Sequence, residues 1–429
     1  MHALGIDFGT SGARAIAIDS GGQAVAQARY HLSSSEVQQP ASWQQALWQL
    51  LSDLPVACRH QLRRIAVNGT SATVLLCDCT TQPLTPALLY NDATARSALP
   101  TVEAVAPPGS PTCSATSSLV KALWWYENLD SEVRSQVSYL AHQADWIASL
   151  LHGKPAVSDY HNALKVGYDV RSLSYPDWLL NLPVSGWLPT VKTPGDIVAT
   201  ILPELAQRFE IHSDCQICAG TTDSIGAFMA SGAHRLGQAV TSLGSTLVLK
   251  LLNDTPVDNQ NYGVYSHRFG DLWLVGGASN TGGAVLQQFF SAEQLSELSA
   301  QIDISQPCPL NYYPLTSPGE RFPHNDPDYA PRLTPRPAED TAFLYGLLDA
   351  IARIEAEGYQ KLHALGAVSV QQVYTAGGGA QNQIWQQLRQ RQLGSMLLGA
   401  VVVTTAANTE AAYGTAQLAL KGLFPYQTR

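Results

Sequence analysis

One short unit constrains this chain more than any other feature, because it occurs twice. An apolar strand is followed by a tight loop of Gly, Ser and Thr, and then by a second strand. At the N-terminus Ala3-Leu4-Gly5-Ile6 runs into Asp7. Gly9-Thr10-Ser11-Gly12 makes the loop, Arg14 to Asp19 continues as a strand, and Ser20-Gly21-Gly22 turns the chain back. Further on, Gln238 to Thr241 reads as a strand, Ser242-Leu243-Gly244-Ser245-Thr246 as a loop, and Leu247 to Leu252 as a strand. Short apolar runs bounded by small polar residues are the mark of buried strands. Their recurrence predicts a duplicated architecture with a seam near residue 230.

Between these units the period changes. Trp43, Leu47, Leu50, Leu51 and Leu54 recur at helical spacing, so 42–54 reads as an amphipathic helix. Further helices are expected near 115–128, 141–152 (stopped by Gly153), 224–231, 341–364, from about Asn382, and over 410–420. Strands are expected over Arg64 to Val67, Val373 to Ala376 and Met396 to Val403, and 307–340 reads as surface connection. Mixed elements over 429 residues predict two α/β domains with a cleft between them.

Composition excludes several classes. Net charge is -9, without the basic surface of a nucleic-acid binder. The N-terminus lacks the basic and apolar regions of a signal peptide, and no apolar run is long enough to span a bilayer. A cytosolic protein, or a stromal one in a plant-type source, is the expectation. Seven cysteines do not make a disulfide framework, and the Cys215/Cys218 pair has no second pair at zinc spacing. Those cysteines read as small buried strand residues. GxxxxGK[ST], GxGxxG and HExxH are all absent.

What remains is three small-residue loops, at 9–12, 242–246 and 376–380, each after a strand. Such loops present several backbone N–H groups to one point, and small side chains let phosphate approach. Asp7 ends the strand before the first loop, where a carboxylate can hold Mg²⁺ through water. Asp223 follows Gly220-Thr221-Thr222 and precedes a small-residue helix, where it can accept the proton of an attacking hydroxyl. His142 and His161 have no partner visible in sequence and read as structural, and Trp124-Trp125 reads as helix packing.

The series Asp7-Phe8-Gly9-Thr10-Ser11-Gly12 with Arg14, Gly220 to Ser224, Gly244-Ser245-Thr246, Gly377-Gly378-Gly379-Ala380 with Asn382, and Glu410-Ala411-Ala412 with Gly414 resembles the FGGY carbohydrate kinases over essentially the whole chain. Through Ser158-Asp159-Tyr160-His161-Asn162 and Ala163-Leu164-Lys165 it is similar to their compact cyanobacterial and plant xylulokinase-like branch. The resemblance implies two actin-like (ribonuclease H-like) ATPase domains. Residues 1–230 plus about 405–429 would form the sugar and phosphate side, and 231–404 the nucleotide side. It implies ATP and Mg²⁺ as cofactors and a small sugar as partner. Phosphoryl transfer would go to the terminal hydroxyl of D-ribulose, with D-xylulose as the alternative sugar.

Carried over by position, the resemblance implies that Asp7 and Thr10 handle Mg²⁺ and the γ-phosphate and that Asp223 is the catalytic base. Asp7, Ser71, Asn91, Asp223 and Ser224 would contact the sugar. Thr10, Ser11, Gly12, Gly244, Ser245, Gly377, Gly378 and Asn382 would bind ATP, with Trp385 packing on the base. The chain departs from the pattern where many members carry a Trp-x-Asp-x-Arg element; here the stretch is Leu89-Tyr90-Asn91-Asp92-Ala93. An actin-like ATP switch without sugar kinase activity is the alternative of a different class. Oligomeric state is left open, a monomer being the simplest case.

Overall fold

The computed structural model describes residues 1–397 and 399–423. The chain forms two compact units. Met1–Ala230 and the C-terminal helix Ala411–Lys421 belong to the first, and Ser231–Thr409 forms the second.

In the first unit β1 (His2–Phe8), β2 (Gly12–Asp19) and β3 (Ala24–His31) form an antiparallel meander. β4 (Leu62–Gly69) returns to lie parallel to β1, and strand Gln216–Cys218 lies parallel to β4. β1 is buried on both faces, which is why its sequence is a continuous apolar run rather than an alternation. One face packs on helices Pro40–Asp53 and Gln143–His152 through Trp43, Leu47, Leu50, Leu51, Trp146 and Ile147. Each such side chain contributes at most about 1.5–3 kcal/mol by leaving water. The other face packs on Ala412, Ala416 and Ala419 of the C-terminal helix. Alanine and glycine are needed there because the backbones touch. A Cβ on Gly414 would lie 1.9 Å from the carbonyl oxygen of Gly226, which belongs to helix Asp223–Ala230.

The second unit repeats the plan. Strands Gln238–Leu243, Leu247–Asn253 and Leu272–Ser279 form the meander, Gln372–Ala376 lies parallel to the first of them, and Val402–Thr405 lies parallel to that. Both sheets thus contain the order 3-2-1-4-5. The second sheet carries helices Asp340–Ala364 and Gln383–Met396, with Leu344, Leu347, Leu348, Ile351, Leu388 and Leu393 in its core.

Three expectations are corrected. Helix Gln383–Met396 runs on where a strand was expected from Met396, and the strand is confined to Val402–Thr405; Leu398 lies outside the described residues. The start of the expected 141–152 helix is a strand, Tyr139–His142, whose apolar run is continuous with the helix Gln143–His152. The 307–340 segment lacks helices and strands but is not merely surface, since Tyr312, Tyr313, Leu315 and Phe322 are buried against the second core. Among the described residues no helix is long and apolar enough to cross a membrane.

Candidate active site

In the first unit the strand ends converge. Asp7 of β1 pairs in register with Asn68 of β4, and Asn68 pairs with Thr221 of the two-residue strand Thr221–Thr222. Two strand spacings, roughly 10 Å, therefore separate the Asp7 backbone from the segment that delivers Asp223. Asp223 opens helix Asp223–Ala230, and its Oδ1 accepts from the Ser224 backbone N–H at 2.6 Å. The close helix contact at Gly226 and Gly414 fixes that helix against the C-terminal one.

Asp7 is electrostatically uncomfortable. Its Oδ1 is buried and has no hydrogen-bond partner among the described residues. Burial, and then the Asp223 carboxylate, push its pKa up to about 7, although Arg14 pulls it down. Arg14 itself is paired with Glu410. Thr10 and Ser11 are exposed at the tip of the β1–β2 hairpin, which closes through Gly9 N–H donating to the Gly12 carbonyl at 2.9 Å.

Ser71 lies on a second loop, after β4. Its neighbour Ala72 has φ of 66°, a left-handed conformation that a non-glycine residue adopts only when its surroundings impose it. The constraint is a buried lysine. Lys121 Nζ donates to the carbonyls of Ala72 at 2.8 Å and Leu89 at 2.5 Å, while Tyr90 N–H donates to Thr73 Oγ1 at 2.9 Å. These bonds lace the Ser71 loop to the 89–91 loop, so Ser71 and exposed Asn91 belong to one surface. Burial lowers the Lys121 pKa to about 7. Sequence reasoning gave Lys121 no role, because a lysine inside an apolar helix shows its purpose only through the carbonyls it meets. Ser224 is exposed beside Asp223.

His142 and His161 are buried, as a structural reading requires. His142 Nδ1 lies 2.7 Å from Asp145 Oδ2, and His161 Nδ1 lies 2.8 Å from Thr221 Oγ1.

The second unit holds a cavity of about 770 Å³ lined by Gly244, Ser245, Gly378, Gly379, Asn382 and residues of helices Gly283–Gln287 and Ala292–Ser299. No charged side chain lines it. Strands Gln238–Leu243 and Gln372–Ala376 are parallel with Ser242 opposite Ala376, so both small-residue loops leave the same sheet edge. Gly377 stands behind the cavity rather than in its lining. Its φ is 84°, and a Cβ there would lie 2.6 Å from the Leu243 carbonyl oxygen. Asn382 caps helix Gln383–Met396 through Trp385 N–H at 2.9 Å and donates to Ser299 Oγ at 2.8 Å. Trp385 lines the wall but is only 2% exposed, its ring seated beneath Gly379. It is therefore a floor, not an open stacking face.

These features have counterparts in known proteins. Residues 2–230 match the N-terminal domain of the FGGY family of carbohydrate kinases, and residues 239–423 match its C-terminal domain. The chain is 24% identical over 412 residues to the xylulose kinase of Escherichia coli K12, covering 90% of this chain and 83% of that one. The fold is similar to the crystal structures of a xyloylose kinase from Brucella ovis (TM-score 0.82, 19% identity, 99% of this chain and 90% of that one) and of gluconate kinase from Lactobacillus acidophilus (TM-score 0.78, 18% identity, 100% and 90%). With both of its domains matched in order across nearly the whole sequence, the chain belongs to the FGGY family of carbohydrate kinases and is an ATP-dependent sugar kinase.

Proposed function

We propose that the chain transfers the γ-phosphoryl group of ATP to the terminal hydroxyl of a ketopentose, with D-xylulose first and D-ribulose second. The observation that carries the reaction is the placement of Asp223 at a helix start, within electrostatic reach of Asp7 at a neighbouring strand end. The curated relatives named xylulose kinases favour D-xylulose; D-ribulose draws its support from the likeness of the 158–165 segment to the compact branch.

In this reading Asp223 accepts the proton of the sugar hydroxyl as its oxygen bonds to the γ-phosphorus and the bond to the ADP oxygen breaks. Ser71, Asn91 and Ser224 orient the sugar. Thr10, Ser11 and Gly12 in one unit, and Gly244, Ser245, Gly378 and Asn382 in the other, hold the nucleotide; Gly377 shapes the loop and Trp385 supports it. A cavity without charged side chains suits an anion held by backbone N–H groups. The orphaned Asp7 oxygen fits Mg²⁺. Among the described residues no group of three or more His, Cys, Asp or Glu could hold a metal, which suits an ion carried mainly by water and phosphate oxygens. Bound there, Mg²⁺ would neutralise phosphate charge.

The test is ADP release from MgATP with D-xylulose, D-ribulose, L-ribulose, gluconate, glycerol or no sugar. Stimulation by a ketopentose supports the reading. Stimulation by gluconate or glycerol alone overturns the ketopentose assignment, and release indifferent to every sugar favours an ATP switch.

Asp7→Asn tests the electrostatics separately. Because the folded-state pKa of Asp7 is raised from 3.8 to about 7, the stability linked to this group is present below pH 3.8 and lost as pH rises through 7. In metal-free protein at pH 8 the variant is expected to gain about 1–3 kcal/mol, a few degrees in Tm. The gain shrinks at pH 5, and activity is lost at both. A gain independent of pH would sink the account.

A further inference from the structure

The first unit holds one more charged side chain against Asp223, to which the scheme above gives no task. Lys165 sits in the 3-10 turn Leu164–Val166, directly after helix Tyr160–Ala163. That segment is fastened to the strand that delivers Asp223. Asn162 Nδ2 donates to the Thr221 carbonyl at 3.2 Å and to Asp159 Oδ2 at 2.6 Å, and His161 Nδ1 lies 2.8 Å from Thr221 Oγ1. Asp159 caps the segment through the backbone N–H groups of His161 and Asn162. Asp159, His161, Asn162 and Thr221 are all at most 2% exposed, so this is a rigid buried joint only two residues from Asp223.

On its other side the turn packs against helix Ser118–Asn128, which carries Lys121. Lys165 is half-buried between these elements. Burial pushes its pKa down, and the Asp223 carboxylate pulls it back up. Asp223 therefore feels Asp7 from β1 and Lys165 from the turn. Repulsion between two carboxylates in a partly desolvated site grows when a polyphosphate arrives, and only a nearby cation offsets it without occupying the place of the hydroxyl.

We propose that Lys165 is a positioning residue for Asp223: its ammonium, held by the Thr221 joint, fixes the direction of the Asp223 carboxylate against the repulsion of Asp7 and so aims it at the attacking hydroxyl. This rests on the kinase reading above. A misaimed base costs rate rather than nucleotide affinity, since the ATP cavity lies in the other unit.

The experiment compares wild type, Lys165→Met and Lys165→Arg in steady-state kinetics with the preferred sugar, beside thermal melts. Lys165→Met is expected to lower kcat about 100-fold, the scale of a small misplacement of a reacting group. KM for ATP should stay within about twofold, and Lys165→Arg should recover most of the loss. Tm of Lys165→Met should not fall, because a desolvated cation has been removed. The proposal is overturned if Lys165→Met leaves kcat unchanged, or raises KM for the sugar alone, which would make Lys165 a sugar ligand. It is equally overturned if Lys165→Arg is as slow as Lys165→Met. Wild type without sugar-stimulated ADP release would refute the kinase reading itself and remove this proposal with it.

Discussion

Asp223→Asn is expected to lower sugar-stimulated ADP release by about 10³-fold, within the range that removal of a general base produces. Asparagine keeps the shape of the side chain and an oxygen that can accept from the Ser224 N–H, now at 2.6 Å. What it loses is basicity. The variant should also be no less stable than wild type, because Asp223 is one of the causes that raise the Asp7 pKa to about 7. Removing one of two repelling carboxylates relieves the other. ATP affinity, measured by titration calorimetry, should change by no more than about twofold, since its cavity is lined wholly by residues of the second unit. Turnover surviving within about tenfold of wild type would remove Asp223 as the base.

How much of this could be read from the chain follows from where each signal lives. The hairpin around Gly9–Gly12 and its counterpart at Gly244–Thr246 are local: a short apolar run, then small residues, then another run, and the structure keeps both. Element ends shift by a few residues, as with Leu62–Gly69 where Arg64 to Val67 was expected, because ladder pairing to β1 extends a strand beyond its apolar run. The buried aromatics of 307–340 were hidden because prolines and aspartates dominate the stretch, while Tyr312, Tyr313 and Phe322 carry its packing. Lys121 and Lys165 were equally opaque. A lysine signals nothing until tertiary structure sets it against two carbonyls or a carboxylate. Asp7 and Asp223 were legible only because each ends a strand beside small residues; the repulsion between them required the fold.

Arg389→Leu is expected to produce the largest loss of stability, about 3–5 kcal/mol, because it strands a buried carboxylate. Arg389 and Glu355 are 1% and 0% exposed. The guanidinium makes two bonds to the carboxylate, Nε to Oε2 at 2.5 Å and Nη2 to Oε1 at 2.7 Å, and a third from Nη1 to Thr375 Oγ1 at 2.6 Å. Glu355 Oε1 also accepts from Thr241 Oγ1 at 2.5 Å, and Thr241 Oγ1 lies 2.8 Å from the Tyr359 hydroxyl. Thr241 and Thr375 face each other on the two parallel strands that feed the Gly244 and Gly377 loops. One ion pair thus ties helices Asp340–Ala364 and Gln383–Met396 to both strands beneath the cavity. Losing it should lower the Tm of the second unit by roughly 10 °C and weaken ATP binding measured below that transition. Replacing both partners, Glu355→Met with Arg389→Leu, should recover much of the Tm, because an apolar pair of similar volume leaves no unpaired charge. It should not recover the ATP affinity, since the threonine anchors remain cut. A Tm for Arg389→Leu within about 2 °C of wild type would show that the pair is not holding the second unit together. Normal ATP affinity in the double variant would show that the loops need no such tether.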